Sequence, residues 1–195
     1  MTTNSFMPTL YGIYNKNKSK IREGKTKTNL HRFPYRYRLA KGFKGISVEK
    51  GLEKSLDGYD VGMKILLATS ALEEIREAAK SLKIPEIFGS QGRAFVSEPI
   101  NKSLRKNKKL AKFVIEHADG DKQRKQLLDF FGERDNDIIV IAFALRHAFA
   151  HGDFTPGGSG ITKKTRDDFL AIADSVIAYS DLLFDKCVRQ VLANR

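Results

Sequence analysis

Arg146, His147 and His151 are the residues whose types and spacing suit chemistry best. They close an uninterrupted apolar run, Ile138 to Leu145, and Gly152 follows them. A histidine is the side chain that moves protons near neutral pH, and an arginine is a fixed cation that can hold a phosphate. His147 and His151 lie four residues apart and share a helix face. Arg146 and His151 lie five apart, about 140° around a helix of 3.6 residues per turn. They can converge because arginine is long and His151 stands at the helix end. Burying one guanidinium and two imidazoles is costly unless they are paired or line a cleft.

Four readings of this cluster compete. In the first, the cations merely cap a helix C-terminus, where each is favoured by roughly 0.3–1 kcal/mol, and Asp153 pairs with one of them. In the second, His147, His151 and Asp153 ligate a metal. No third imidazole, thiolate or carboxylate stands at motif spacing and Arg146 repels a cation, so neither metal nor cofactor is expected. In the third, Cys187 is a nucleophile, but it lies in an apolar stretch with no histidine nearby in sequence. The fourth is metal-independent RNA cleavage. That reaction needs proton transfer at the 2′-hydroxyl and at the leaving 5′-oxygen, and a cation for the charge growing on the phosphate.

The elements that must position the cluster read as helices. The apolar run is far shorter than the roughly 18 residues of a membrane span, so a helix greasy on all sides belongs inside a bundle. Asp135 or Asn136 is expected to cap it. Val48 to Leu56 reads as a short helix ending near Gly58. Tyr59 to Leu82 reads as a long one, with Val61, Ile65, Leu66, Leu72, Ile75, Ala79 and Leu82 as its apolar stripe. Pro85 ends it, and residues 86–97 read as a loop. A helix from about Pro99 to His117 follows, with His117 favoured at its C-terminus by the dipole. Asp121 to Phe131 reads as a short helix broken by Gly132. A last helix, capped by Thr162 or Thr165, reaches Leu192, and its broad apolar face can cover the core and a second copy of the chain. The glycine-rich stretch 153–160 lacks the Lys-Ser/Thr ending of a phosphate loop. No strand series and no repeat stand out. The expectation is an all-α domain of four or five helices over residues 45–195.

Charge is unevenly placed along the 195 residues. The net charge is +12, and residues 1–50 hold twelve Lys and Arg against only Glu23 and Glu49. Such asymmetry points to an anionic partner, most often nucleic acid. Residues 1–44 read as a basic, partly irregular arm. Within it, His31 to Arg38 alternates rings and cations, which suits a short strand or an extended segment. Tyr35 and Tyr37 would stack on bases while Arg32, Arg36 and Arg38 meet phosphates; alternatively the rings tie the arm to the body. A second basic patch holds Lys102, Arg105, Lys106, Lys108, Lys109 and Lys112 with no acid among them, and is expected to face RNA. One cysteine permits no internal disulfide, and residues 1–12 show no secretory leader. A cytoplasmic location without a membrane anchor is expected.

Arg146-His-Ala-Phe-Ala-His151 resembles the R-x(4–6)-H motif of HEPN (higher eukaryotes and prokaryotes nucleotide-binding) domains. The polar residue after the arginine, the apolar helix leading in, the glycine after the last histidine and the helical surroundings all fit. The resemblance covers roughly residues 48–193. It implies an up-and-down helical bundle that dimerises with two motifs facing each other across a basic cleft. It also implies a metal-independent endoribonuclease leaving 2′,3′-cyclic phosphate and 5′-hydroxyl ends. His151 would transfer the proton, Arg146 would hold the scissile phosphate and His147 would orient the site or share the proton work. Family members include toxins and defence effectors, so an antitoxin or regulatory partner is expected. Some of those toxins carry a modifiable tyrosine two residues after the histidine; Asp153 stands there in this chain. Other members do not cleave, which leaves a non-catalytic RNA- or partner-binding module, or a nucleotide-binding adaptor, as alternatives.

Overall fold

The computed structural model describes residues 7–21, 24–47, 53–84, 98–153 and 163–193. These form α1 (Met7–Asn17), a 3-10 turn (Lys18–Lys20), α2 (Lys25–Gly42), α3 (Glu53–Ser81), α4 (Glu98–Lys106), α5 (Lys108–Glu116), α6 (Gly120–Phe131), α7 (Ile138–Ala150) and α8 (Lys163–Ala193). The described residues contain no strand, as the sequence pattern predicts. They hold more helices than the four or five expected. The helix predicted from Pro99 to His117 breaks at Asn107, whose side chain accepts from the Leu110 N–H at 3.0 Å and restarts the chain as α5.

The frame is a pair of long helices. α3 has 29 residues and α8 has 31, each more than about 40 Å long at 1.5 Å per residue. α3 packs against α2, α8 and α7, while α4, α5 and α6 gather around α7 and α8. Gly58 does not interrupt α3, contrary to the two-helix expectation; Val48 to Leu52 lie outside the described residues. α7 is buried at Ile138 through Ala142, and at Ala144, Leu145 and Ala148. Its cap is Asp137, whose carboxylate accepts from the Ile139 N–H at 2.9 Å. Asp135 instead accepts from the backbone of Asn136 and Asp137. Thr165 is not a cap but a buried residue within α8, and Thr162 lies outside the described residues. Loop 86–97 and the glycine-rich stretch beyond Asp153 are likewise outside them.

The largest correction concerns the N-terminal arm. Residues 25–42 are helix, and Leu30, Phe33, Pro34, Tyr37 and Ala40 are buried. Leu30, Phe33, Tyr37 and Ala40 recur every three or four residues, so the rings that alternate along the sequence also fit a helical stripe. Phe33 stacks on Phe184 of α8 at 4.9 Å, and Tyr14 of α1 meets the same ring edge-on at 6.0 Å. This aromatic cluster makes α1 and α2 part of the core. Pro34 disguises the helix, since proline inside a helix costs about 3 kcal/mol or more. Apolar burial on that face offsets it.

One carboxylate is poorly served by this packing. Asp181 on α8 is partly buried, and one of its oxygens is buried without a hydrogen-bond partner. Burial raises its pKa above the usual 3.8; Lys41 and a Tyr37 hydrogen bond oppose the rise, and Asp185 adds to it. An acid protonated more readily in the folded chain stabilises the fold at low pH. That contribution fades as pH rises from the unfolded value through the raised folded one. Asp181→Asn removes the titration. Its melting temperature relative to wild type should therefore rise between pH 3.5 and pH 7, a trend that parallel thermal melts would read.

Candidate functional site

α7 is enclosed over most of its length, and apart from Phe149 its less buried positions fall on one stripe. Phe143, Arg146 and His147 are half-buried, and Ala150 and His151 are exposed. Residues spaced three and four apart share a helix face. The three candidate residues thus interrupt the apolar surface where α7 meets solvent. The imidazoles of His147 and His151 are neighbours, with ring centroids 4.3 Å apart and planes tilted by 45°.

The helix ends in a way that presents His151. The Gly152 N–H donates to Phe149 O at 3.2 Å, and the Asp153 N–H donates to Ala148 O at 2.9 Å. This is the Schellman arrangement, which needs a left-handed residue just past the cap. Gly152 supplies it at φ +78°. His151 is the C-cap itself, so its ring stands on the last residue before the chain turns away.

α3 forms the other wall. Its Glu73 carboxylate is ion-paired to the Arg146 guanidinium. One turn further, Arg76 lies over the Phe143 ring at 5.6 Å, and Arg146 lies 5.9 Å from the same ring. At the far end Phe149, inside the Arg146–His151 stretch, packs on the bare backbone of Gly62; a Cβ there would come within 2.3 Å of the ring. Tyr59 meets Phe149 edge-on at 6.3 Å. Sequence reasoning does not single out Gly62 or Phe143, and it leaves Glu73, like Glu74 and Asp60, a distant acid that no spacing places near the motif. A glycine inside a helical pattern, which signals close approach of another element, is the one available hint.

The residues assigned to RNA separate into two sets. Arg36 and Arg105 make contacts within the fold, and Tyr37, contrary to expectation, is buried. Arg36 bonds the Ser70 hydroxyl at 2.7 Å and Glu74 at 2.9 Å, tying α2 to α3. Arg105 donates to Phe130 O at 2.9 Å, to Asp135 O at 2.8 Å and to the Asn136 side chain, and lies over the Phe130 ring. It pins α4 to the turn before α7. Tyr37 is 4% exposed, too buried to stack on a base. Arg32, Tyr35, Arg38, Lys102, Lys106 and Lys109 are exposed. Tyr35 meets His31 edge-on, and Arg38 covers the Tyr11 ring at 4.7 Å.

His117 caps α5, its Nδ1 2.9 Å from Phe113 O, as a structural residue would. Cys187 is buried and its thiol is pushed up to about 12 by that burial, which leaves no thiolate for nucleophilic attack. Among the described residues no three His, Cys, Asp or Glu side chains gather as metal ligands, so His147, His151 and Asp153 do not close into a triad. None of the described helices is long and apolar enough to cross a membrane. The chain matches no family model, no curated protein and no solved structure.

Gly62→Ala should destabilise the fold by about 1–3 kcal/mol through overpacking against Phe149. Phe149→Leu in the same chain should recover part of the loss, which a double-mutant cycle by urea unfolding would measure. Arg105→Ala should cost about 2 kcal/mol or more by orphaning acceptors, seen as a lower urea midpoint, whatever its effect on RNA.

Proposed function

We propose that the chain is a HEPN-type endoribonuclease that cuts RNA without a metal and works as a homodimer. The observation that carries this reading is the half-exposed stripe on α7, where a guanidinium and two adjacent imidazoles replace apolar side chains at a glycine-stopped helix end. Structural burial alone gives no reason for two histidines to sit ring to ring at the rim of so apolar a helix.

In this reading an RNA phosphate lies against Arg146, whose charge offsets that growing on the non-bridging oxygens. His151 removes the 2′-hydroxyl proton, and the freed oxygen attacks the adjacent phosphorus. A second imidazole, His147 or a histidine of the partner copy, returns a proton to the departing 5′-oxygen. The products carry a 2′,3′-cyclic phosphate and a 5′-hydroxyl. The half-buried Phe143, one turn before Arg146 on α7, supplies apolar area for a second copy. Arg32, Tyr35 and Arg38 on α2, with Lys102, Lys106 and Lys109 on α4 and α5, supply exposed groups for RNA. A toxin or defence role controlled by a partner belongs to the same proposal.

The second reading, a non-catalytic RNA- or partner-binding module, draws on Glu73, which already neutralises Arg146. Labelled total RNA incubated in EDTA with wild type, His151→Ala and Arg146→Ala separates the two. The nuclease reading expects wild type alone to yield cyclic-phosphate ends, with at least about a 100-fold loss in His151→Ala. Salt-sensitive binding by all three proteins with no product would sink it in favour of the binding module.

A further inference from the structure

We infer that Glu73 is a positioning residue that holds the Arg146 guanidinium ready for the scissile phosphate; this rests on the ribonuclease reading above. The two side chains come from different helices and lie 73 positions apart in sequence, yet one Glu73 oxygen meets one Arg146 terminal nitrogen. The contact is single-pronged. Arginine carries five N–H donors in a rigid fork, and among the described residues Glu73 is the one hydrogen-bonding partner of this fork. The remaining donors are left for another anion. The Phe143 ring, 5.9 Å from the guanidinium centre, bounds the fork on a further side.

The contrast with the other arginines of the region is chemical. Arg105 spends its donors on two carbonyls and an amide, and Arg36 spends its own on a hydroxyl and a carboxylate. Those two tie helices together, although the Arg36 side chain keeps 42% of its surface exposed. Among the described residues, Arg146 is oriented yet keeps donors to spare. Its side chain is 32% exposed and that of Glu73 is 41% exposed, and ion pairs so open to water add little to stability. The consequence of the pair is therefore geometric. A long cation fixed beforehand need not surrender its rotamer freedom when the phosphate arrives, and small misplacements of such a group are costly to rate.

Glu73 also places a negative charge beside the phosphate site, which opposes RNA binding in the ground state. Orientation and charge thus pull two kinetic constants in different directions, and two substitutions separate them. Glu73→Ala removes both the tether and the charge. Glu73→Gln removes the charge but keeps an amide oxygen that accepts from the guanidinium.

The test is steady-state cleavage of a labelled RNA by the full chain, with Glu77→Gln as a charge control. Glu77 lies one turn along α3 and pairs with Lys80 and Lys25. Thermal melts establish that each variant folds. For Glu73→Ala we expect kcat to fall about tenfold or more while KM stays level or falls. For Glu73→Gln we expect kcat within about threefold of wild type with a lower KM. A parallel reaction with phenylglyoxal, followed at Arg146 by mass spectrometry, should be faster in Glu73→Ala than in wild type or Glu73→Gln. Unchanged or raised kcat in Glu73→Ala overturns the proposal and makes Glu73 a bystander or a brake. An equal fall in both variants also overturns it, because the charge and not the tether would then matter. Equal phenylglyoxal rates overturn the tether whether or not RNA is cut, whereas absence of cleavage by wild type overturns the ribonuclease reading itself.

Discussion

The seating of the Phe149 ring on the bare backbone of Gly62 sets how closely α7 approaches α3, and the geometry of the candidate site depends on that distance. Cores are packed tightly enough that a single methyl at such a point forces neighbours to move. With the helices this close, Glu73 reaches Arg146 and Arg76 reaches the Phe143 ring along the same seam. Phe149 also lies between Arg146 and His151 in sequence. The residue that anchors the helix pair is thus enclosed by the residues proposed to act, so their stretch of backbone is fixed by packing while their side chains stay at the surface.

Charge in this chain is sorted by tertiary contact more than by residue type. The adjacent acids Glu73 and Glu74 on α3 hold arginines from opposite neighbours, Arg146 of α7 and Arg36 of α2. Glu77, one turn on, pairs with Lys80 and Lys25. The outer stripe of α3 is in this way an acidic ridge with cations drawn onto it from both sides. The exposed cations of α2 and of α4 and α5 lie on helices that carry no comparable run of acids. The proposed RNA contacts are drawn from that second population.

Much of the fold was legible in the residues themselves. The apolar run of α7, the stripe of α3 and the glycine stop at residue 152 are local patterns whose period or position has one economical solution. The N-terminal quarter reads two ways because its signal is ambiguous at short range. Phe33, Tyr35 and Tyr37 satisfy a period of two, Leu30, Phe33, Tyr37 and Ala40 a helical period, and Pro34 argues against the helix that forms. Phe184, 151 residues beyond Phe33, decides between the two by stacking on it.

The candidate site divides along the same line. Arg146, His147 and His151 stand within six residues, so their spacing, their shared helix end and the exposure of a capping residue follow from the sequence alone. Glu73, Gly62 and Phe143 owe their roles to the register between α3 and α7, which no local pattern encodes. The same holds for the arginines. A guanidinium facing RNA and one clamping two helices are identical in sequence, and only the acceptors that the fold brings within reach distinguish Arg105 from Lys106 beside it. Local chemistry is written in neighbouring residues, whereas partnership across helices is settled by packing.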